Sequence, residues 1–245
     1  MSPDTLPDLS VCAPAYNERE GIEAVVRDWM RVAAGFGRPV EIVITNDGSS
    51  DGTGELLDRL AAELKTLRIV HLARNGGYGR ALGAAIAASR GRHVATIDSD
   101  GQFDLADAKN LLERAEKENW DLVTGYRVAK KDSLLRVFAN HGQNLLVGIL
   151  CGVRLRDSNC ALKVARGDLL RDLRLESTGY PLPTEICVRF HARGLRIAEA
   201  PVAHRERPAG ESKLRFLRTS WRMLVFLFYL RKRILLHRKG YLQSI

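Results

Sequence analysis

Over the first half of the chain, short apolar runs rich in β-branched residues alternate with stretches whose apolar positions recur every three or four residues. The runs 9–13 (LSVCA), 40–45 (VEIVIT), 68–72 and 93–97 (HVATI) read as strands. The intervening 18–36, 52–64 and 78–89 (YGRALGAAIAAS) read as helices. Such alternation predicts an α/β domain with a mostly parallel sheet flanked by helices. The second half is less regular. There 105–117, 133–150 and 184–193 read as helices, 122–124 and 161–164 as strands, and 196–202 as extended chain before a Pro- and Gly-containing loop at 204–210.

Composition agrees with a folded protein. The chain has 245 residues of which 45% are hydrophobic, which excludes wholesale disorder and allows one large domain or a domain with an appendage. The formal net charge of +9 is unevenly spread. Up to His204 there are 27 basic and 27 acidic residues, whereas from Arg205 onward there are 11 basic residues against only Glu206 and Glu211. A nucleic-acid-binding module more often spreads cation over a domain face, so the charge argues against nucleic acid as partner. In the tail, Leu214, Leu217, Trp221, Leu224 and Phe228 form one helical stripe and Arg215, Arg218 and Arg222 another, with Arg231-Lys232-Arg233 after the apolar run 223–230. That run falls short of the roughly 20 apolar residues that span a bilayer. A basic helix with aromatic residues can lie in a membrane interface, or can dock on the protein's own core. The four cysteines show no C-x-x-C spacing; Cys12 and Cys187 lie in apolar stretches and read as buried thiols, which fits a reducing cytoplasm. Residues 1–10 lack the basic and apolar pattern of a signal peptide.

Ligands of parallel sheets bind beyond the carboxyl ends of strands, so those positions are the candidates. After the first strand comes PAYNE (14–18). Pro14 is expected to end the ladder. Tyr16 offers a ring face to a nucleobase and Glu18 a carboxylate to a base or sugar, while Asn17 could simply cap the next helix. After the second strand comes NDGSSDGT (46–53), where Asp47 is a base-binding carboxylate or part of a turn in which Ser50 or Asp51 caps a helix. After the fourth comes DSDGQ (98–102). Asp98, Asp100 and Gln102 supply oxygen ligands of the kind that suit Mg²⁺ or Mn²⁺, and two carboxylates at one strand end repel unless a cation sits between them. The alternative is an acidic surface turn. The glycines at 76, 77, 79 and 83 miss the G-x-G-x-x-G spacing, and no P-loop or G-x-S-x-G elbow occurs. The six histidines are scattered and read as structural.

Together, PAYNE (14–18), NDGSSDGT (46–53), ARNGGYGRALGAAIAASRG (73–91) and DSDGQF (98–103) resemble the family 2 glycosyltransferases of the GT-A fold. GYR (125–127), RDSNCALK (156–163) and IAEAPVAHRERPAGESKL (197–214) are similar to the dolichol- and polyprenyl-phosphate sugar synthases, dolichyl-phosphate mannosyltransferases among them. The resemblance covers about residues 9–214. It implies that Pro14, Tyr16, Glu18 and Asp47 hold the nucleoside of a nucleotide sugar, a GDP-mannose or UDP-sugar. It places Asp98, Ser99 and Asp100 along the diphosphate and sugar, with Asp100 and Gln102 as metal ligands. Arg207 and Lys213 would contact the donor phosphates, and Arg127 and Arg136 the lipid phosphate, with Asn140 where a serine is common. Glu185 would orient the sugar or act as a base. Three stretches depart from the family pattern: Asn46 replaces an aspartate, NCALK (159–163) replaces S-G-F-R, and Tyr180-Pro181-Leu182-Pro183-Thr184-Glu185 stands in the aromatic-rich region. A lysine at 163 keeps charge without bidentate recognition.

The implied reaction is metal-assisted, inverting transfer of a sugar to a polyprenyl phosphate at the cytoplasmic membrane face. Residues 8–210 would form the GT-A domain and 211–245 a membrane-interfacial helix. The alternative acceptor is a polysaccharide or glycolipid.

Overall fold

The computed structural model describes residues 6–128, 134–205 and 216–242, the side chains of 134–140 and 216–220 excepted. Seven strands form one sheet in the order β3-β2-β1-β4-β6-β5-β7. In chain order these are β1 (Leu9–Ala15), β2 (Val40–Asn46), β3 (Leu67–His71), β4 (His93–Thr96), β5 (Leu122–Val128), β6 (Lys163–Arg166) and β7 (Ile197–Ala203). All pairings are parallel except those of β6, which runs antiparallel to both β4 and β5. β5 and β7 therefore run the same way as β1 and β4, and six carboxyl ends share one edge.

Alternation of side chains along each strand builds two cores. Leu9, Val11 and Ala13 of β1 face α1 (Ile22–Ala34), α2 (Thr53–Glu63) and α4 (Leu105–Glu118), where Trp29, Leu57 and Leu111 are buried. Cys12, Val43 and Val94 face α3 (Tyr78–Ala88), α6 (Gly167–Arg171) and α7 (Leu182–Ala192), against Leu82, Leu170 and Phe190. The product is a three-layer α/β sandwich, as the alternation predicts.

A third cluster joins α5 (Leu134–Cys151) to α8 (Phe216–Arg238). Met223, Leu227, Leu230 and Ile234 of α8 are buried against Val147, Cys151 and Val188. Trp221, Val225 and Phe228 point to nearly the opposite side of the helix and are 67%, 52% and 55% exposed. The stripe expected from sequence thus contains Trp221 and Phe228 on the open face, and a second stripe faces the protein. Leu214 and the Leu217 side chain lie outside the described residues. Among the described residues, no helix is long and apolar enough to cross a membrane.

Pro14 does not end β1. The strand continues to Ala15, paired with Asn46 of β2. The Pro14 carbonyl accepts a hydrogen bond from Ser99 Oγ at 2.6 Å, so the Pro14 nitrogen faces the β4 side. β4 has already ended there, its Thr96 pairing with Cys12, and no ladder hydrogen bond is lost. The first helix starts later than the apolar period suggests, at Ile22. Asn17 adopts a left-handed conformation (φ 51°), and Gly21 and Ile22 donate backbone N–H groups to the Glu18 carbonyl.

Candidate active site

The strand order reverses between β1 and β4, the position at which open α/β sheets leave a crevice for ligands. The chain after β1 and the chain after β4 flank it, joined by the Ser99–Pro14 hydrogen bond. The 14–18 segment is fastened to the 46–53 loop as well. Asn17 N–H donates to Ser49 Oγ at 3.0 Å, Ser50 N–H to Asn17 Oδ1 at 2.9 Å, and Glu18 N–H to Thr53 Oγ1 at 3.0 Å. Asp51 accepts the Thr53 N–H at 2.9 Å just ahead of α2. Tyr16 and Glu18 are half-buried on this frame.

Asp47 is buried at the end of β2. Its two carboxylate oxygens accept the N–H groups of Gly76 and Gly77 at 2.7 and 2.9 Å. It therefore anchors the loop that opens α3. Neighbouring Asn46 accepts the Ser49 N–H at 3.1 Å and donates its amide to His71 Nδ1 at 3.1 Å. His71 Nε2 lies 2.9 Å from Asp58 Oδ1; with that nitrogen as the donor, Nδ1 is an acceptor, which an amide at 46 satisfies and a carboxylate would not. The departure at Asn46 thus has a local partner.

The loop that Asp47 anchors leads into a residue that the sequence pattern does not single out. Tyr78 stacks on Tyr180 with ring centroids 5.4 Å apart, and its buried hydroxyl lies beside Asp98. Burial, then the Asp98 and Asp100 charges, push its pKa well above the phenol range, so it stays protonated next to the carboxylates. The signal was present in GGYG but cannot be distinguished there from a core aromatic.

The 98–103 turn is tied to the chain after β7. Gln102 N–H donates to Asp100 Oδ1 at 3.1 Å, Gln102 Nε2 to the Arg205 carbonyl at 3.1 Å, and Arg205 N–H to the Gln102 carbonyl at 2.8 Å. His204 sits edge-on to Phe103, centroids 4.9 Å apart. Because its amide nitrogen is engaged, Gln102 keeps Oε1 as an acceptor. Arg207 and Lys213 follow directly in sequence but lie outside the described residues.

The donor set fits a divalent cation of the Mg²⁺ or Mn²⁺ type: the Asp98 and Asp100 carboxylates and one amide oxygen, all hard ligands, within one turn. Among the described residues, no group of three or more His, Cys, Asp or Glu residues could hold a metal ion. Two carboxylates and an amide would hold such an ion together with substrate phosphates.

Farther along the same edge, Arg127 at the end of β5 forks onto Asp157, Nε to Oδ2 at 2.7 Å and an Nη to Oδ1 at 3.1 Å. Asn144 of α5 holds the adjoining 156–158 loop, accepting from Ser158 N–H and Oγ at 3.1 and 2.7 Å and donating to the Arg156 carbonyl at 2.7 Å. Lys163 is buried and its compact ammonium donates to Thr124 Oγ1 at 2.7 Å and the Ser158 carbonyl at 3.2 Å. The side chains of Arg136 and Asn140 lie outside the described residues. All four cysteines are buried and unbridged, and burial pushes the Cys160 thiol up to about 12.

Glu185 stands apart from the crevice residues. It is fully buried in α7, and its oxygens accept from Glu176 N–H (2.9 Å), Ser177 N–H (2.8 Å) and Arg189 Nε (2.6 Å). Through these bonds Glu185 holds the start of the 176–180 loop.

The profile of the family described as Glycosyl transferase family 2 matches residues 10–147, more than half the chain and all of the crevice turns. The chain belongs to glycosyl transferase family 2. Its curated relatives include the dodecaprenyl-phosphate galacturonate synthase of Rhizobium johnstonii, 32% identical over 214 residues that cover 86% of this chain and 63% of that protein. The undecaprenyl-phosphate 4-deoxy-4-formamido-L-arabinose transferase of Salmonella paratyphi B is 31% identical over 215 residues, again 86% and 63%. The chain thus spans less than two thirds of the length of these family 2 relatives. Among solved structures, mannosyl-3-phosphoglycerate synthase from Rubrobacter xylanophilus superposes with a TM-score of 0.71 at 22% identity, covering 98% of this chain and 77% of that one. Glucosyl-3-phosphoglycerate synthase from Mycobacterium tuberculosis, in complex with Mn²⁺ and uridine-diphosphate-glucose, gives 0.67 at 23% identity over 92% of this chain and 79% of that one. These likenesses establish the GT-A-like fold.

Proposed function

We propose that this protein moves a sugar from a nucleotide diphosphate sugar to a polyprenyl phosphate, with inversion and with Mg²⁺ or Mn²⁺, at the cytoplasmic face of a membrane. The observation that carries this reading is the 98–102 turn, whose two carboxylates and amide oxygen stand at the β1/β4 crevice, tied through Ser99 to Pro14 of the segment that carries Tyr16 and Glu18. The relatives that act on dodecaprenyl and undecaprenyl phosphate, matched over most of this chain, support the acceptor class. The structural neighbour holding Mn²⁺ and UDP-glucose supports the donor class and the divalent ion.

In this reading Pro14, Tyr16, Glu18 and Asp47 frame the nucleoside, and Asp98, Ser99 and Asp100 line the diphosphate and sugar. A divalent ion on Asp100 and Gln102, with Asp98 close by, would offset charge building on the departing diphosphate. Arg207 and Lys213 add fixed positive charge from the adjoining segment. Arg127, held in one orientation by Asp157, and Arg136 bring the acceptor phosphate into line. A phosphate is already ionised near neutral pH, so the displacement requires no strong base; Glu185, buried and fully engaged, serves by supporting the site. The segment 211–245 contributes α8, whose exposed Trp221, Val225 and Phe228 meet the membrane surface.

The test is incubation with undecaprenyl phosphate in anionic vesicles, Mn²⁺ and a panel of UDP- and GDP-sugars, with lipid-linked product read by mass spectrometry. A polyprenyl-phosphate sugar supports the proposal. Transfer only to a polysaccharide or glycolipid replaces the acceptor, and no transfer from any donor sinks the reading.

A further inference from the structure

Helix α8 is wired to the crevice through one carboxylate. Glu176 Oε2 accepts from the Tyr229 hydroxyl at 2.9 Å and from Arg189 at 2.7 Å, and Glu176 Oε1 lies 3.3 Å from an Arg233 nitrogen. Tyr229 and Arg233 belong to α8. Arg189 in turn pairs with Glu185 at 2.6 Å, both side chains fully buried, and Glu185 accepts the backbone N–H groups of residues 176 and 177. The loop so held packs directly on the donor side. Thr178 carbonyl accepts the Gly79 N–H at 3.0 Å, and a Cβ at Gly77 (φ +91°) would lie 2.5 Å from the Thr178 oxygen. Tyr180 stacks on Tyr78, and Gly76 and Gly77 donate to Asp47.

Two features separate this network from ordinary packing. A buried ion pair is weak evidence for stability, since apolar residues of similar volume often serve as well or better. Among the described residues, Arg189 Nη1 is also buried without a hydrogen-bond partner, a cost that a purely stabilising site would avoid. In addition, Glu176 and Tyr229 line an open cavity of about 530 Å³ with Trp221, Arg222, Val225 and Phe226. The α8 end of the network is therefore accessible from the helix face that carries the exposed aromatic residues.

We propose that Glu176 is a positioning residue that makes the geometry of the donor loops, 76–79 and 176–180, depend on how α8 is seated. The inference rests on the donor-site reading above. Seating of α8 fixes Glu176, Glu176 and Glu185 fix Arg189 and the 176–180 loop, and that loop fixes Tyr78 beside Asp98. Arg189 itself is a poor probe, because removing it leaves Glu185 buried and unpaired. Glu176→Gln and Tyr229→Phe each weaken the link while leaving the core filled.

The test is calorimetric titration of the full chain with UDP-glucose or GDP-mannose, whichever the unaltered protein binds, in the presence of Mn²⁺. Each single variant is expected to weaken binding by about three- to tenfold, within the range of coupling through such networks, with stoichiometry unchanged. The double variant is expected to lose less than the two single losses combined, since both act on the same path. In steady-state assays the donor KM rises and the acceptor KM does not. Lowered melting temperature with unchanged donor affinity would reduce Glu176 to a structural residue and overturn the inference. Binding of neither nucleotide sugar by the unaltered protein would overturn the donor-site reading itself, and the inference with it.

Discussion

The carboxylates of this protein do different work according to what surrounds them. Asp47 and Glu185 each accept two backbone N–H groups and hold loops. Asp100 is half-buried at the crevice. Asp100→Ala should therefore abolish sugar transfer while leaving the melting temperature nearly unchanged; near-normal turnover would remove the 98–102 turn from the chemistry. Glu41 lies at the opposite end of the sheet and titrates with the fold. Burial alone would push its pKa up, but Ser10, the Arg90 backbone N–H, Arg68 and the Arg90 guanidinium together hold it below the ordinary value. A carboxyl lowered on folding stabilises above its unfolded pKa, and that contribution fades as pH falls through the folded value. The melting-temperature gap between Glu41→Gln and the unaltered protein should be wide at pH 7 and should shrink progressively as pH falls below about 4. A gap independent of pH would mean that packing, not charge, explains the site. At this scale the candidates legible in the sequence are those at strand ends, because chemistry and position coincide in a few consecutive residues. The Glu185–Arg189 pair has helical i,i+4 spacing, but its extension to Glu176, and from there across 53 residues to Tyr229, is illegible because it depends on how the 176–180 loop, α7 and α8 fold together.

Elements with a strong period appear close to where the pattern puts them, and misses follow from contacts that a period does not encode. β1 runs past Pro14 only because β4 stops short beside it. The direction of β6 is set by its neighbours, and the five-residue α6 is too short to show a period. In α8 the sequence contains two apolar stripes, and only packing reveals which one the protein covers. This yields a paired test. Replacing Trp221 and Phe228 together by serine should lower affinity for anionic vesicles by about tenfold or more, since burying each aromatic is worth roughly 1.5–3 kcal/mol, and leave the fold intact. Replacing Met223 and Leu227 by serine should instead lower the melting temperature, because both are buried against α5 and α7. Equal loss of vesicle affinity with no thermal change in both pairs would mean that α8 does not use distinct faces.

Over the whole molecule, charge and packing divide the chain differently. By charge the boundary falls at Arg205, after which 11 basic residues face two acidic ones. By packing α8 belongs with the helices before it, because it shares a core with α5 and α7 and Arg231 donates to the Leu150 carbonyl at the end of α5, at 2.9 Å. Deleting 215–245 would therefore expose Val147, Cys151 and Val188 and confuse loss of the membrane contact with loss of the fold. Ionic strength separates the two. Each basic residue near an anionic surface is worth about 1 kcal/mol, within a screening length of about 10 Å at 0.1 M salt and about 3 Å at 1 M. Sedimentation with phosphatidylserine-containing vesicles should be strong at 0.1 M NaCl and fall steeply by 1 M, while the Trp221/Phe228 double variant should be released at lower salt than the unaltered protein. Vesicles of neutral lipid should retain only the fraction that the aromatic face supports. Binding that ignores both salt and lipid charge would leave the clustered cations without a membrane role.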